Sequence, residues 1–477
     1  MSTSNASSAR QRIESLLDEK SFVEIGGLVS ARATDFNLKQ IDTPSDGVIT
    51  GYGLINDVLV YVYSQDVSVI NGTIGEMHAK KIASLYDLAM KMGAPVIGLI
   101  DSAGLRLQEA MDALNGLGEI YFKQSMASGV IPQVGAVFGS CGGGQCISMG
   151  INDFVFMEDK AKLFVNSPNT LKDNYTEKCD TASAEFMSAE SGIVDFTGSE
   201  ADVIAKIREL VSIIPSNNEE DALLADEEDD LNRASANLAG GYKDGVLALT
   251  DIADGYDFFE IKPEFGKDLV AGFIKLDGMT VGAMANRSVI YDEDGKVKEE
   301  LGTAISVRGL EKAASFVNLC DAFNIPLLTL TNVSGFKSCV HCEKRIAKAA
   351  AALTYAFANA TVPKVNLITE LAFGSAGVVM NSKSLGCDVT FALEGAKIGT
   401  MDSKIAAQII YDNDSSADLN AKAKEYDELQ NSALSAAKRG YIDYIIKADE
   451  ARKYIIGAFE MLYSKREDRP FKKHGTV

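Results

Sequence analysis

At 477 residues and 46% hydrophobic content, the chain is long enough to bury two or three substantial cores. Its 46 Lys and Arg against 67 Asp and Glu leave a net charge of −21, which disfavours nucleic acid or an anionic membrane as partner. The polar start, residues 1–10, lacks the apolar core of a signal peptide, and no apolar run reaches the ~18 residues of a membrane span, so a cytoplasmic protein without direct membrane insertion is expected. Seven cysteines are odd in number and mostly lie in apolar or glycine-rich surroundings, which predicts reduced thiols.

In chain order, Ile13, Leu16 and Leu17 among charged neighbours predict a short amphipathic helix over 8–18. Phe22-Val23-Glu24-Ile25 follows, then two strands over 51–63 that turn at Asn56-Asp57. Helix-period residues over 76–92 lead to an apolar strand over 95–100. A second apolar run, 131–138, meets Gly139-Ser140-Cys141-Gly142-Gly143-Gly144 and then the helix-like 145–150. Strand, glycine turn and helix start together point backbone N–H groups and partial positive charge into one spot, where an anionic oxygen would be held. An acidic stretch over 217–230 reads as a linker, and the domain boundary is set near residue 240, giving domains 1–240 and 241–477. The second half opens with Phe258-Phe259-Glu260-Ile261 and a hairpin at Asp277-Gly278, followed by a helix over 310–323 and a strand over 326–330. The basic tail, 465–477, reads as a frayed terminus.

The halves align at an offset of 231: Lys81 falls on Lys312, Pro95 on Pro326, Pro132 on Pro363, and Gly143-Gly144 on Gly374-Ser375. Internal duplication of a layered α/β domain explains this better than two unrelated turns. Two glycine turns, one per domain, become the candidate sites.

Several chemistries fit poorly. Gly144 is followed by Gln145-Cys146 and not by the Lys-Ser/Thr of a phosphate-binding loop, and Ile147 breaks a dinucleotide fingerprint. Residues 145–150 resemble the nucleophile segment of Clp-type serine proteases, yet His78, His341 and His474 are the only histidines and none lies between 150 and 200. Cys339-Val340-His341-Cys342 has zinc-like or redox-like spacing but too few ligands for a metal, so a reduced loop is expected. Ala89-Met90-Lys91-Met92 matches the tetrapeptide around a biotinylated lysine, but it ends a helix-period segment where no swinging hairpin is expected.

Residues 93–98, Asp101-Ser102-Ala103-Gly104-Leu105-Arg106, 129–133 and the first glycine turn resemble the biotin-dependent acyl-CoA carboxyltransferases. So do 321–326, 360–364, Phe373 to Met380, Gly386-Cys387-Asp388 and Arg439-Gly440-Tyr441 in the second half, in family order over nearly the whole chain. The resemblance implies an α/β fold of two tandem crotonase-like domains, with acyl-CoA on the first and biotin on the second. It implies a coenzyme A thioester as substrate and biotin on a separate carrier protein or subunit. Implied partners are a biotin carboxylase or membrane decarboxylase subunit, with the chain in a homo-oligomer, a hexamer built from dimers. It also assigns the Gly143 and Gly144 N–H groups to a thioester enolate and those of Ser375 and Ala376 to the biotin ureido oxygen. Gly104, Arg106, Gly142, Gly374, Gly377 and Val378 are implied as substrate-binding, with no metal. The ureido nitrogen would itself take the α-proton, so no protein base is implied. Phe373-Gly374-Ser375-Ala376-Gly377-Val378 departs from the common family turn, which leaves the acyl group and the direction of transfer open. A crotonase-type hydratase or hydrolase using Glu109 as base, and a non-catalytic scaffold, are the alternatives from other classes.

Overall fold

A computed structural model of the chain describes residues 7–32, 42–174, 178–221, 224, 229–235, 238, 243–413 and 417–477. Two compact units result, Met1–Glu220 and Asp221–Val477. The expected boundary at 240 and the acidic run 225–228 lie outside the described residues.

The first unit begins with α1 (Ser8–Leu16), whose Ile13 and Leu16 are fully buried. The strands β1 (Val23–Ile25), β2 (Val48–Ile55) and β3 (Val58–Gln65) form an antiparallel run. Asn56 and Asp57 both take positive φ at the β2–β3 turn, the geometry whose twist matches a two-residue hairpin. From there the chain crosses over in parallel through α2 (Glu76–Met92), β4 (Val96–Ser102), α3 (Ala110–Ala127), β5 (Gln133–Gly142), α4 (Gly144–Ile151) and β6 (Phe154–Glu158). Short β7 (Lys162–Phe164) and β8 (Phe196–Gly198) precede α5 (Glu200–Val211). The sheet order is β1-β2-β3-β4-β5-β6-β8, with β7 pairing β5. Ile82, Leu85, Tyr86 and Ala89 of α2 share one core with Val96 and Ile100 of β4, the helical and strand periodicities meeting at one apolar interface. Gly93 ends α2 in the left-handed region, so Lys91 sits in the exposed last turn of a packed helix.

The second unit repeats the plan. After α6 (Gly245–Ile252) come β9 (Phe259–Ile261), β10 (Leu269–Leu276) and β11 (Met279–Asn286), with Asp277 and Gly278 again at positive φ. A hairpin of its own, β12 (Val289–Tyr291) and β13 (Val297–Glu300), and β14 (Ala304–Ile305) lead to α7 (Val307–Ala322) and β15 (Leu327–Val333). Then follow β16 (Gly335–Phe336), α8 (Ile346–Asn359), β17 (Lys364–Phe373) and α9 (Gly374–Val379). The strands β18 (Val389–Leu393), β19 (Lys397–Gly399) and β20 (Tyr444–Ile446) complete the sheet, and α10 (Ala451–Leu462) packs Ile455 and Phe459 on its core. The order is β9-β10-β11-β15-β17-β18-β20, with β19 pairing β17.

The duplication holds at the level of register. Along β4–β5 the pairing slips between Ile100 and Ser102, and along β15–β17 between Thr331 and Val333, each 231 residues on. Lys81 and Lys312, paired by the same offset, are both buried and donate to backbone carbonyls: Lys81 Nζ to Ser45 O at 3.0 Å and Lys312 Nζ to Lys262 O at 3.1 Å.

Two expectations are corrected. The tail is tied down through Lys472: Lys465 Nζ donates to Val362 O (3.1 Å) and Asp388 (2.8 Å), and Arg469 Nη2 donates to Ala360 O (3.0 Å). Carbonyls at the C-terminal end of α8 attract these cations, and Lys472 lies over the Tyr355 ring at 4.5 Å. Cys339 and Cys342 form a disulfide where a reduced loop was expected; a three-residue separation within one helical turn brings the sulfurs together. The other five cysteines are free.

Candidate active site

The first glycine turn stands where β5 ends. A side chain at Gly142 would strike the Phe164 ring, 2.9 Å from its Cβ position. Gly143, at φ 64 and ψ −133, caps α4 in a conformation that L side chains rarely adopt, and its Cβ position meets no atom within 4 Å, so the turn faces open space. The Gly143 N–H, expected to be a free donor, is already used: it donates to Phe164 O at 2.9 Å, continuing the β5–β7 ladder. Ahead of the first α4 bond, Cys146 N–H to Gly143 O, stand the N–H groups of Gly144 and Gln145. Tyr121 Oη donates to Gly144 O, which fixes the peptide whose opposite end is the Gln145 N–H.

Beneath this turn runs a buried polar chain that the sequence reading missed. Gln145 Nε2 donates to Gln65 Oε1 (2.7 Å), Gln65 Nε2 meets His78 Nε2 (3.2 Å), and His78 Nδ1 meets Asp46 O (3.0 Å). Burial, aided by the Arg106 guanidinium, pushes His78 down to about 3, so the imidazole stays neutral. The signal for this chain was a glutamine directly after the glycines and a histidine in a helix otherwise facing apolar neighbours.

Of the expected substrate-binding residues in this unit, Gly104 and Gly142 are neighbours, the Gly104 Cβ position lying 3.6 Å from Gly142 O. Arg106 is elsewhere in kind: fully buried, with Nη1 at 2.6 Å from Asp46 and 2.8 Å from Glu109, and Nη2 donating to Thr73 O. A guanidinium with these protein partners holds the loops after β4 together. Glu109 is committed in the same way, accepting from Arg106 and from the Glu76 N–H at 2.6 Å, so it is not placed as the free base a hydratase would use.

In the second unit, α9 begins at Gly374 (φ 58), Ser375 is exposed and Ala376 buried. Gly377 is required by close approach: a Cβ there would lie 2.7 Å from the Ala372 carbonyl carbon. A cavity of about 510 Å³ opens against this turn, with Gly374, Gly377 and Val378 on its wall as expected. Its lining includes Thr390 and Asn431, whose Oγ1 and Oδ1 are buried and have no hydrogen-bond partner among the described residues, the Asn431 oxygen facing Gly399. Ile368, Ala372, Val378 and Ile398 give the wall apolar surface, and Lys383, Arg439, Ser382 and Ser384 add cationic and hydroxyl groups. Among the described residues no cluster of metal-ligating side chains occurs.

The carboxyl transferase domain model matches residues 3–477. The chain belongs to that family. Methylmalonyl-CoA decarboxylase subunit alpha of Propionigenium modestum is 39% identical to this carboxyl transferase over 488 residues, covering 98% of the chain and 92% of the relative. Propionyl-CoA carboxylase beta chain of Roseobacter denitrificans is 38% identical over 484 residues, covering 98% and 93%. The crystal structure of transcarboxylase 12S, a hexamer assembly, matches with a TM-score of 0.91 at 33% identity over 98% of this chain and 92% of that one. The carboxyl transferase shares its architecture of duplicated crotonase-like domains, the fold that the sequence resemblance implied.

Proposed function

We infer that this carboxyl transferase moves a carboxyl group between biotin on a separate carrier and the α-carbon of an acyl-CoA. The observation that carries the reading is the pair of glycine turns at the ends of β5 and β17, with matching register and a helix opening at each. In the first, the Gly144 and Gln145 N–H groups are the donors offered to a thioester oxygen as it becomes an enolate, with Gly104 and Gly142 leaving room for the chain to approach. In the second, the Ser375 and Ala376 N–H groups are offered to the ureido oxygen, and the adjoining cavity, with Thr390 and Asn431, takes the ring. Biotin, when bound, supplies or accepts the carboxyl group and serves as proton acceptor. Donors fixed before reaction and aimed at developing charge are worth roughly 3–4 kcal/mol each.

The names of the relatives support propionyl and methylmalonyl thioesters as the first substrates to test. Homo-oligomerisation is supported by the hexamer assembly of transcarboxylase 12S, and the pairing of one subunit's first domain with another's second is part of this reading. Partners under this reading are a biotin carrier together with a biotin carboxylase or a membrane decarboxylase subunit.

The test is carboxyl transfer between free biotin and a panel of acyl-CoA and dicarboxyl-CoA thioesters. Biotin-dependent turnover with at least one short-chain thioester is expected. Turnover of thioesters without biotin would instead establish a hydratase or hydrolase. The faster direction on the preferred pair separates carboxylase from decarboxylase use.

A further inference from the structure

Cys339 and Cys342 take no part in the proposed carboxyl transfer. They lie on the connection between β16 and α8, where residues 340–343 make a single helical turn closed by the disulfide. The Cys342 N–H donates to Cys339 Sγ at 2.9 Å and the Glu343 N–H to Cys339 O at 2.9 Å, so the ring is entirely local. Cys339 is exposed and Cys342 is only 9% exposed, which offers an incoming thiol one accessible sulfur and shields the other. Lys337 and Lys344 flank the pair, both exposed, against exposed Glu343, while the nearby Arg345 is paired with Glu311. Cationic surroundings favour thiolate, the form that exchanges. The free cysteines differ: Cys141, Cys146, Cys320 and Cys387 are buried, and burial pushes their thiols up, so they stay inert.

The connection also has something to transmit. Both elements it joins, β16 and α8, pack on α9, the helix that begins beside Ser375. On the near side Lys337 N–H is fastened to Ile305 O at 2.8 Å, and on the far side Ala349 N–H is fastened to Arg345 O at 3.0 Å. The span between these two anchors, 338–344, holds the disulfide as its one covalent cross-link.

We propose that Cys339–Cys342 is a thiol–disulfide exchange site for small or protein dithiols, and that its state sets how firmly β16 and α8 brace the second glycine turn. A thiolate of the dithiol attacks the Cys339 sulfur, the Cys339–Cys342 bond breaks, and Cys342 leaves as a thiolate that takes a proton. The second thiolate of the reagent then displaces Cys339. The net change is one protein disulfide reduced to two thiols and one dithiol oxidised to its disulfide. In the reduced state the 338–344 span loses its cross-link, so β16 and α8 are tied to each other less firmly where they pack on α9.

The test uses the full-length oligomer in buffers of graded reduced-to-oxidised dithiothreitol ratio. Acid quench, maleimide labelling and peptide mass mapping should show Cys339 and Cys342 converting together and reversibly, while Cys141, Cys146, Cys320 and Cys387 stay unlabelled. Hydrogen exchange of peptides covering 374–379 should be severalfold faster in the reduced protein, and a Cys339→Ser/Cys342→Ser variant should match the reduced rate at every ratio. Failure of the pair to reduce in folded protein, irreversible conversion, or equal exchange at 374–379 in both states would each overturn the proposal. Any consequence for turnover rests on the second turn being catalytic. A change in hydrogen exchange with unchanged carboxyl transfer would support the exchange site and count against that catalytic reading.

Discussion

The two halves of this chain share a backbone and differ in what fills it. Ten-residue β5 and β17 begin 231 residues apart, and the slips in pairing beside them fall at matching positions, so each half delivers a glycine turn to the same place in its sheet. Under the first turn lie charges, Asp46, Arg106 and Glu109, joined through His78 and Gln65 to Gln145. Under the second lie neutral groups: Thr331 Oγ1 donates to Asn366 Oδ1 (2.8 Å), Asn366 Nδ2 to Asn381 O (3.0 Å), and Asn381 Nδ2 to Thr329 Oγ1 (3.3 Å). The strand starts show the same exchange of parts. Gln133 Nε2 donates to Gln124 O in the last turn of α3, and Lys364 Nζ donates to Phe357 O and Ala360 O at the end of α8. Asp153 and Asp388 accept from the N–H groups of Gln133 and Lys364, both at 2.8 Å, but only Asp388 has Lys465 beside it among the described residues. Strand register conserves the direction of backbone donors, while side chains one layer below can change from charged to neutral without moving them.

The charged first half should be most sensitive at Arg106. Arg106→Met leaves Asp46 and Glu109 buried without their cation and should cost about 3–5 kcal/mol in chemical denaturation. The neutral counterpart, Asn366→Leu, should cost about 1–3 kcal/mol, the penalty for unpaired uncharged groups. Unchanged stability in Arg106→Met with a raised KM for acyl-CoA would return Arg106 to substrate binding. Next comes Ser375→Pro, which removes one N–H and should lower carboxyl transfer by about 10²- to 10³-fold with acyl-CoA affinity retained. Gly143→Val, forcing a β-branched residue to positive φ on the open face of the first turn, should instead weaken the acyl-CoA half and lower stability as well. Normal turnover of either variant, verified as folded, would argue against paired donor sites.

The matched lysines give a smaller effect. Burial holds Lys81 and Lys312 down to about 8, below the ordinary 10.5. Between pH 8 and 10.5 the unfolded chain therefore keeps protons that the folded chain has released, so stability rises with pH across that window. Lys81→Met should flatten the rise by roughly 1–3 kcal/mol as read by urea titrations at the two ends, and Lys312→Met should act in the same direction on the second unit. The smallest expected signal comes from two opposed groups in the first unit. His78, held near 3, makes the first unit lose stability as pH falls below 6.5; Asp153, raised to about 7 by desolvation with Asp195 adding to it, makes it gain as pH falls from 7 toward 3.8. Asp153→Asn should remove the gain, so its midpoint in urea falls more steeply with acid than that of the unchanged protein.

What the sequence determined by itself is the part written in local pattern. The hairpins at Asn56-Asp57 and Asp277-Gly278, the helix over 76–92 and the two strand–glycine–helix turns are set by neighbours a few residues apart, and the offset of 231 ties the halves together. The expected helix over 310–323 begins three residues earlier, at Val307, because Ser306 accepts from the Gly309 N–H as its cap. Only the tertiary structure decided which groups at those turns are free. The Gly143 N–H is taken because β7, some twenty residues on, returns to pair with β5. The Arg106 guanidinium is paired because Asp46, sixty positions earlier in the chain, lies against it, and the tail is held because the carbonyls of α8 lie within its reach. The orphaned Thr390 and Asn431 atoms come from a strand and a helical turn forty residues apart. Pattern along a chain reports what each segment can form, whereas the occupancy of a donor or a charge depends on which distant segment arrives beside it.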